Sequence, residues 1–478
     1  MILLITILLV YILQRISHIK EKRKKAKNKK MRQDYIQSKA ENQNFVNLIG
    51  IIILPNNPFF IKDQPFYLKK LCGVSILERN INILNKNGIK EIFVLSNLSL
   101  DLNIERNFDK NKFKSIIKIN SFQRIKEFLN QKNLINSGKN FAVVLDGGVL
   151  IDDRIVSSLL NHKGDILYLK GKSVHSNHLD KNFNNILAVK INLNNREFIF
   201  EKNINSSYEF FNSLTSNNVI HHSSDEISTY KPDMRRDVPL YIYSFCSYED
   251  FKSAKKFLVK RTQKGTLDLI AWYFNRHFEN IFVYLFADTR ITANHVTILV
   301  NILGYFVLFL FLIQYWWIGL FLLILVNILD GVDGKLARLK NQESIVGHIE
   351  HSFDQLYEQA IYVGIGLASY FIIDQFFVII ALIIMLLSDS FNRHCSMQYK
   401  EVMKITLADS SKFDQLFRKF DGRRNIYTLH ILIFGIFGYF EFVFFSICIH
   451  AIITSIIYSI QAIKHMKKAD ILNVNKIT

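Results

Sequence analysis

Two carboxylates, Asp330 and Asp333, stand three residues apart at the inner end of a strongly apolar run. That spacing puts both on one face of a helix. A charge beside hydrocarbon costs roughly 2.5–3.5 kcal/mol even on the mildest scale, so an acidic pair here needs an offset. A hard divalent cation supplies one, because Mg2+ or Mn2+ takes oxygen ligands and bridges to substrate phosphates. Gly334 follows at once and leaves room for a phosphate to approach the backbone. Arg338 lies one turn further, where a guanidinium can clamp that phosphate. Beyond it, Glu350, Asp354 and Glu358 recur at i, i+4 and i+8, a single carboxylate stripe on a later helix.

The elements that must carry these residues are membrane helices. Six apolar runs of near-spanning length follow one another at about 293–313, 316–333, 347–373, 376–397, 426–440 and 442–463. The turns inside each pair carry almost no Lys or Arg. The loops between pairs carry Lys335, Arg338 and Lys340, then Lys400, Lys404, Lys412, Arg418, Lys419, Arg423 and Arg424, and Lys464, Lys467 and Lys468 follow the last run. The positive-inside rule then puts both long loops and the C-terminus in the cytoplasm, with Asp330 and Asp333 opening toward it. A net charge of +19 with 49% hydrophobic residues and 40 Phe fits a protein on an anionic membrane face better than a nucleic-acid binder. Cys72, Cys246, Cys395 and Cys448 are scattered without CxxC spacing and do not suggest a zinc site or a disulfide framework.

The stretch DGVDGKLARLKNQESIVGHIEHSFDQ resembles the signature of the CDP-alcohol phosphatidyltransferase family, D-x2-D-G-x2-A-R-x8-G-x3-D-x3-D. Asp330, Asp333, Gly334, Ala337, Arg338 and Gly347 fall in register. The last two acids fall on His351 and Gln355. In that family the acceptor hydroxyl attacks the phosphorus next to the alcohol of a CDP-alcohol, and CMP leaves. The resemblance implies Asp330 and Asp333 as ligands of Mg2+ or Mn2+, with Gly334, Ala337, Arg338 and Gly347 at the cytidine diphosphate. It also implies Asn294 and Thr297, in Ala293-Asn294-His295-Val296-Thr297, at the family's Pro-Asn-x-x-Thr entry motif, with Ala293 in place of the proline. Arg423 and Arg424 either bind an acceptor phosphate or anchor the chain at the membrane face. On the third helix His351 can ligate a metal, while Gln355 cannot act as a base. Glu350 and Asp354, about 100° around from the expected face, are the alternative acids, with Asp354 as surrogate base and metal ligand. The competing reading is a decayed site whose acids sit in water. A homodimer paired through membrane helices is implied by the resemblance alone.

The front half reads differently. NLIGIIIL and IKEIFVLS are buried-strand runs around the amphipathic SILERNINILNKNG, which Gly88 ends; FAVVLDGG and DILYLKG follow. Strands alternating with helices predict an α/β domain with a mainly parallel, Rossmann-like sheet over about 45–258. GVSILERNINILNKNGIKEIFVLSN resembles the sugar-phosphate nucleotidyltransferases, but the catalytic parts depart. ILPNNPFF replaces the Gly-rich phosphate loop, Pro65-Phe66 replaces Pro-Lys, Gly148 stands at the metal-binding Asp, and Ser244 or Cys246 at the second. These departures predict a domain that kept the fold and lost nucleotidyl transfer, with Asp146 and Asp152 as turn residues.

Ahead of this domain, Met1 to Leu13 is apolar and followed by KEKRKKAKNKKMR. It reads as a membrane anchor or interfacial helix (1–14), then a basic linker (15–44). Residues 259–292 read as an amphipathic, aromatic-rich juxtamembrane helix, 293–468 as an all-α membrane domain of six transmembrane helices, and 469–478 as a tail. The two-domain layout resembles fusions of inositol-1-phosphate cytidylyltransferase with di-myo-inositol-phosphate-phosphate synthase. Two functions follow. One is an integral-membrane phosphotransferase using a CDP-alcohol, such as CDP-inositol, with an alcohol or polyol-phosphate acceptor, among membrane lipids and without nucleic acid. The other is an inactive homologue that binds or scaffolds.

Overall fold

The computed structural model describes residues 48–55, 58–96, 116–121, 141–161, 166–169, 186–192, 220–223, 226–265, 267–344 and 346–477. The N-terminal apolar segment and its basic linker lie outside these residues, as do Asn56 and Asn57. Contacts divide the described chain into two units. One holds 262–477 with Asp233–Arg236, and the other holds the preceding residues with Asp237–Arg261.

The front unit is built on a seven-stranded sheet: β1 (Leu48–Ile53), β2 (Glu91–Ser96), β3 (Ile116–Ser121), β4 (Phe141–Asp146), β5 (Ile166–Leu169), β6 (Ile186–Asn192) and β7 (Ile220–Ser223). Their order is β7-β5-β6-β4-β1-β2-β3. β1 pairs in parallel with β2 and β4, and β2 with β3. All six residues of β1 are buried, as a parallel strand covered on both faces requires. The sheet is mixed but mainly parallel: β5 and β7 also pair in parallel, and among the described strands of this sheet β6 alone is reversed, running antiparallel to both β4 and β5. Between β1 and β2 lies α1 (Ile76–Lys86), opened by a capping box in which Ser75 and Glu78 exchange hydrogen bonds. It ends at Gly88, whose φ of 82° only glycine adopts without strain. α2 (Asp153–Asn161) and α3 (Tyr248–Arg261) complete the unit.

The second unit is helical. Instead of one long juxtamembrane helix, a π-helical turn at Ala271–Asn275 runs into α4 (Arg276–Phe286). Tyr273, Phe274, Phe278, Ile281 and Leu285 are exposed while Asn275 and Glu279 are buried, so the apolar face is the outer one. α5 (Ala293–Leu312), α6 (Trp316–Leu339), α7 (Glu350–Ile373) and α8 (Phe376–Met403) follow. After them come α9 (Leu407–Ser410), α10 (Lys412–Phe417), α11 (Arg424–Ile436) and α12 (Phe440–Ile477). Among the described residues five helices, α5 to α8 and α12, are long and apolar enough to cross a membrane, where the sequence predicts six. The expected fifth run forms α11, whose 13 residues reach only about 20 Å at 1.5 Å per residue, against about 30 Å of hydrocarbon. α5 and α7 pack closely because each offers a glycine: a Cβ at Gly304 would fall 2.5 Å from the Tyr357 ring, and one at Gly364 2.8 Å from the Leu308 carbonyl.

Candidate active site

The acidic pair sits on α6, which runs through the motif without a break to Leu339. Lys335 and Arg338 are therefore helical residues, not loop cations, and Lys340 caps the helix with its ammonium on the carbonyls of Thr289 and Ile291 at 2.9 and 2.6 Å. The Lys335 side chain is 2% exposed and pairs with Glu279 at 2.9 Å, while donating to Asn280 Oδ1 at 2.7 Å. Gly331 makes this possible, because a Cβ there would lie 2.5 Å from Glu279 Oε1. Burial pushes the Glu279 carboxyl up, with Lys335 opposing.

Around Asp330 and Asp333 lies a cavity of about 310 Å3, at the lower end of the range for small-ligand sites. Asp333 accepts from Thr297 Oγ1 at 2.9 Å and from the Gly334 N–H at 2.5 Å. Its carboxylate also comes within hydrogen-bonding reach of Glu350. Asp330 is held by Arg424 Nη2 at 2.7 Å and the Tyr357 hydroxyl at 3.3 Å. Arg424 reaches Glu358 at 3.2 Å with its other arm. It lines the cavity, buried between two carboxylates. Arg423 is engaged too, with Asp421 at 3.1 Å. Arg393 pairs with Glu358 and, at 3.1 Å, with Asp389.

The third helix presents its stripe to this cavity. Glu350, Asp354 and Glu358 line it, as does His351, and Gln355 does not. His351 is 77% exposed and stands 3.7 Å from Asp354 Oδ2. Asp354 Oδ1 is buried without a hydrogen-bond partner among the described residues. Gly334 and Arg338 line the cavity, and Arg338 Nη1 would lie 3.4 Å from a Cβ on Gly334. The structure does not bring Ala337, Gly347 or Asn294 to its wall. Gly347 is exposed, in the 3-10 turn Val346–Ile349, and binds the Ser344 hydroxyl at 3.1 Å.

Sequence reasoning missed Glu279, Arg393, Asp389, Gln263 and Lys264, all of which line the cavity. Two signals were available. Ala271, Asn275, Glu279 and Val283 recur at four-residue spacing opposite an aromatic face, and Asp389 with Arg393 is an i, i+4 ion pair inside an otherwise apolar run.

The donor set fits a hard divalent cation in kind. Asp330, Asp333, Glu350 and Asp354 offer only carboxylate oxygens, one of them orphaned, and two carboxylates that approach each other need a proton or a cation between them. Among the described residues no group of three or more His, Cys, Asp or Glu is gathered into a ready cage.

Residues 290–411 match the family model of CDP-alcohol phosphatidyltransferase. The match takes in the whole stretch from Asp330 to Gly347 and helices α5 to α8. With the long apolar helices, this domain supports a membrane phosphotransferase. No curated protein matches the chain. Among solved structures, the inositol-1-phosphate CTP transferase from T. maritima is similar at 11% identity, covering 44% of this chain and 97% of its own, with a TM-score of 0.29. HddC from Yersinia pseudotuberculosis is similar at 15% identity over 44% of this chain and 98% of its own, also at 0.29. Both likenesses fall on the N-terminal half.

In that half the expected nucleotidyl-transfer residues are rearranged. Phe66 stacks on Phe59 at 4.6 Å, and its ring would touch a Cβ on Gly148 at 3.4 Å, so an aromatic contact replaces the Lys and Asp of the resemblance. Asp152 is buried between Arg154 and Arg261, at 2.8 and 3.0 Å; burial works against its charge, yet the guanidiniums hold its carboxyl below the usual range. The Asp146 carboxylate accepts from the Gly148 N–H at 2.8 Å, and burial pushes it up to about 6.

Proposed function

We propose that the C-terminal domain transfers a phospho-alcohol group from a CDP-alcohol to an alcohol acceptor and releases CMP. The observation that carries this reading is that Glu350 and Asp354 line the cavity of Asp330 and Asp333 while Gln355 does not. Asp330, Asp333 and Glu350 would hold Mg2+ or Mn2+, which, when bound, neutralises charge on the diphosphate. Asp354 is the base. Its unpartnered Oδ1 takes the proton of the acceptor hydroxyl as that oxygen bonds to the alcohol-bearing phosphorus. The bond from that phosphorus to the bridging oxygen breaks, CMP carries away the electron pair, and Asp354 passes its proton to water. His351 positions Asp354 from the rim. Lys400 near the end of α8, Lys404, Lys412 at the start of α10, and Lys419 favour a cytoplasmic mouth. The front domain supplies no nucleotidyl transfer in this reading, so the donor comes from another enzyme.

One observation favours the non-catalytic alternative: the Asp330 carboxylate is already occupied by Arg424. CMP release decides between them. Full-length protein in detergent is given CDP-inositol or CDP-diacylglycerol, Mg2+ or Mn2+ and a panel of alcohols and polyol phosphates. Release that needs metal, disappears in Asp333→Asn and Asp354→Asn, and survives Gln355→Ala supports transfer with Asp354 as base. Release unaffected by Asp354→Asn removes Asp354 from the mechanism. No release with any pair supports the binding protein.

A further inference from the structure

Most cations lining the cavity are matched by carboxylates. Lys335 is paired with Glu279, Arg393 with Glu358 and Asp389, Arg418 and Arg423 with Asp421, and Arg424 with Asp330 and Glu358. Two are not. Arg338 donates its Nε to the Thr262 carbonyl at 3.0 Å, which fixes the guanidinium while its two Nη groups meet no carboxylate among the described residues. Lys264 lies two residues beyond that carbonyl, lines the same cavity, and has no hydrogen-bond or ion-pair partner for its ammonium among the described residues. The groups that act on it are mostly of its own sign: Arg338, Arg235 and Lys400, with Glu343 opposing, and His351 within its field. Unmatched like charges inside a half-closed cavity are costly unless an anion joins them.

We propose that Lys264 completes a two-cation clamp with Arg338 that grips the diphosphate of a nucleoside-diphosphate donor. The proposal rests on the transferase reading for the identity of the ligand and adds a residue outside the family motif. Arg338 is bound through Nε and presents its planar end, while Lys264 supplies a point charge that needs no fixed geometry. Burial, then Arg338, Arg235 and Lys400, bring the Lys264 ammonium down to about 8. The clamp is therefore complete below about pH 8 and loses one of its two charges as the pH rises through that value. Arginine at the same position stays charged throughout.

The test is CDP binding to full-length protein in detergent by titration calorimetry, with Mg2+ present, from about pH 6.5 to about pH 9.5. Lys264→Met is expected to weaken CDP about 10-fold to 100-fold at neutral pH, the worth of one hydrogen bond to a charged group. Wild-type affinity is expected to decline above about pH 8, whereas Lys264→Arg keeps neutral-pH affinity and abolishes the decline. Because Lys264 has no partner to lose, size-exclusion behaviour of all three proteins should coincide. CDP affinity that is equal in wild type and Lys264→Met overturns the clamp, as does a wild type that does not bind CDP. So does a Lys264→Met protein that binds CDP normally but retains less phosphatidate from mixed micelles, since the phosphate then belongs to a lipid headgroup. Lys264-dependent CDP binding in a protein that never releases CMP leaves the clamp standing and removes the transferase reading instead.

Discussion

Lys335→Met should unlock the segment of α6 that carries the acidic pair. The Lys335 and Glu279 side chains are 2% and 7% exposed and 2.9 Å apart. At an effective dielectric of about 20 their attraction is about 6 kcal/mol, set against several kcal/mol of desolvation per ion. Removing one partner leaves the other charge buried, so each single substitution should cost about 3–5 kcal/mol. The two singles fail in opposite directions with pH. In Lys335→Met the stranded Glu279, already pushed up by burial, escapes by binding a proton, so the loss is smaller near pH 5 and grows toward pH 8. In Glu279→Gln the stranded ammonium escapes by losing its proton, so the loss shrinks as pH rises. The double variant Lys335→Met/Glu279→Gln should recover most of the stability, because an uncharged pair has no desolvation to offset. Unfolding in detergent micelles between about pH 5 and about pH 9, followed by the fluorescence of Trp272, Trp316 and Trp317, gives all four corners of the cycle. Single variants within about 0.5 kcal/mol of wild type, or pH slopes of the same sign, would refute a dry ion pair holding this helix.

Gly331→Ala puts a methyl group 2.5 Å from Glu279 Oε1 and should destabilise by about 1–3 kcal/mol, the range for overpacking, whereas Gly334→Ala meets only the far end of Arg338 at 3.4 Å. Equal melting temperatures for the two variants would sink that contrast. In the front domain, the Asp146 carboxyl sits near 6 when folded and near its ordinary 3.8 when unfolded. The folded state therefore holds the extra proton between those values, and stability falls as pH rises across that window, by roughly 1–3 kcal/mol. Asp146→Asn should remove that pH dependence and stabilise the protein at neutral pH; denaturant midpoints at about pH 4.5 and about pH 7.5 show whether it does. Asp152 has the opposite sign, since its carboxyl is held low by Arg154 and Arg261. Asp152→Asn should cost about 3–5 kcal/mol at neutral pH, with the difference vanishing only in acid, below the depressed carboxyl.

What could be read from the chain was whatever is local. The three-residue spacing of Asp330 and Asp333, the apolar runs and the Gly88 stop are written in neighbouring residues, and the structure has each of these elements. Strand direction is not local. The run that forms β6 has the same apolar character whichever way it lies, and its antiparallel pairing with β4 and β5 depends on the path of the chain around it. Lys335 misled for a related reason. A lysine after an apolar run looks like a flanking charge until Glu279, 56 positions earlier, is brought against Gly331 by the packing of α4 on α6.

The facing of α7 is the most instructive case, because a helical period fixes which residues share a stripe but not where that stripe points. Here one buried side chain ties the phase to the acidic pair. Tyr357, fully buried, lies against Gly304 of α5, sends its hydroxyl to Asp330 and takes the Arg424 guanidinium over its ring at 5.3 Å. With Tyr357 turned toward α5, Glu350, Asp354 and Glu358 face the cavity and Gln355 turns off it. The acids that the motif lacks at 351 and 355 therefore appear on the inner face at 350 and 354. Such an exchange is open to a helix whose rotation is held by an aromatic anchor rather than by the acids themselves. It makes Tyr357 a residue on which the facing of those acids depends. Tyr357→Phe keeps the ring against Gly304 and should preserve the facing of α7, whereas Tyr357→Ala removes the anchor and should uncouple Asp354 from the pocket. A disulfide-trapping scan between cysteines placed at 330 and at 354 or 355 reads this directly: 330–354 should cross-link in the Tyr357→Phe background and lose that preference in Tyr357→Ala. Cross-linking through 355 in the otherwise unaltered protein would mean that α7 presents the motif face after all.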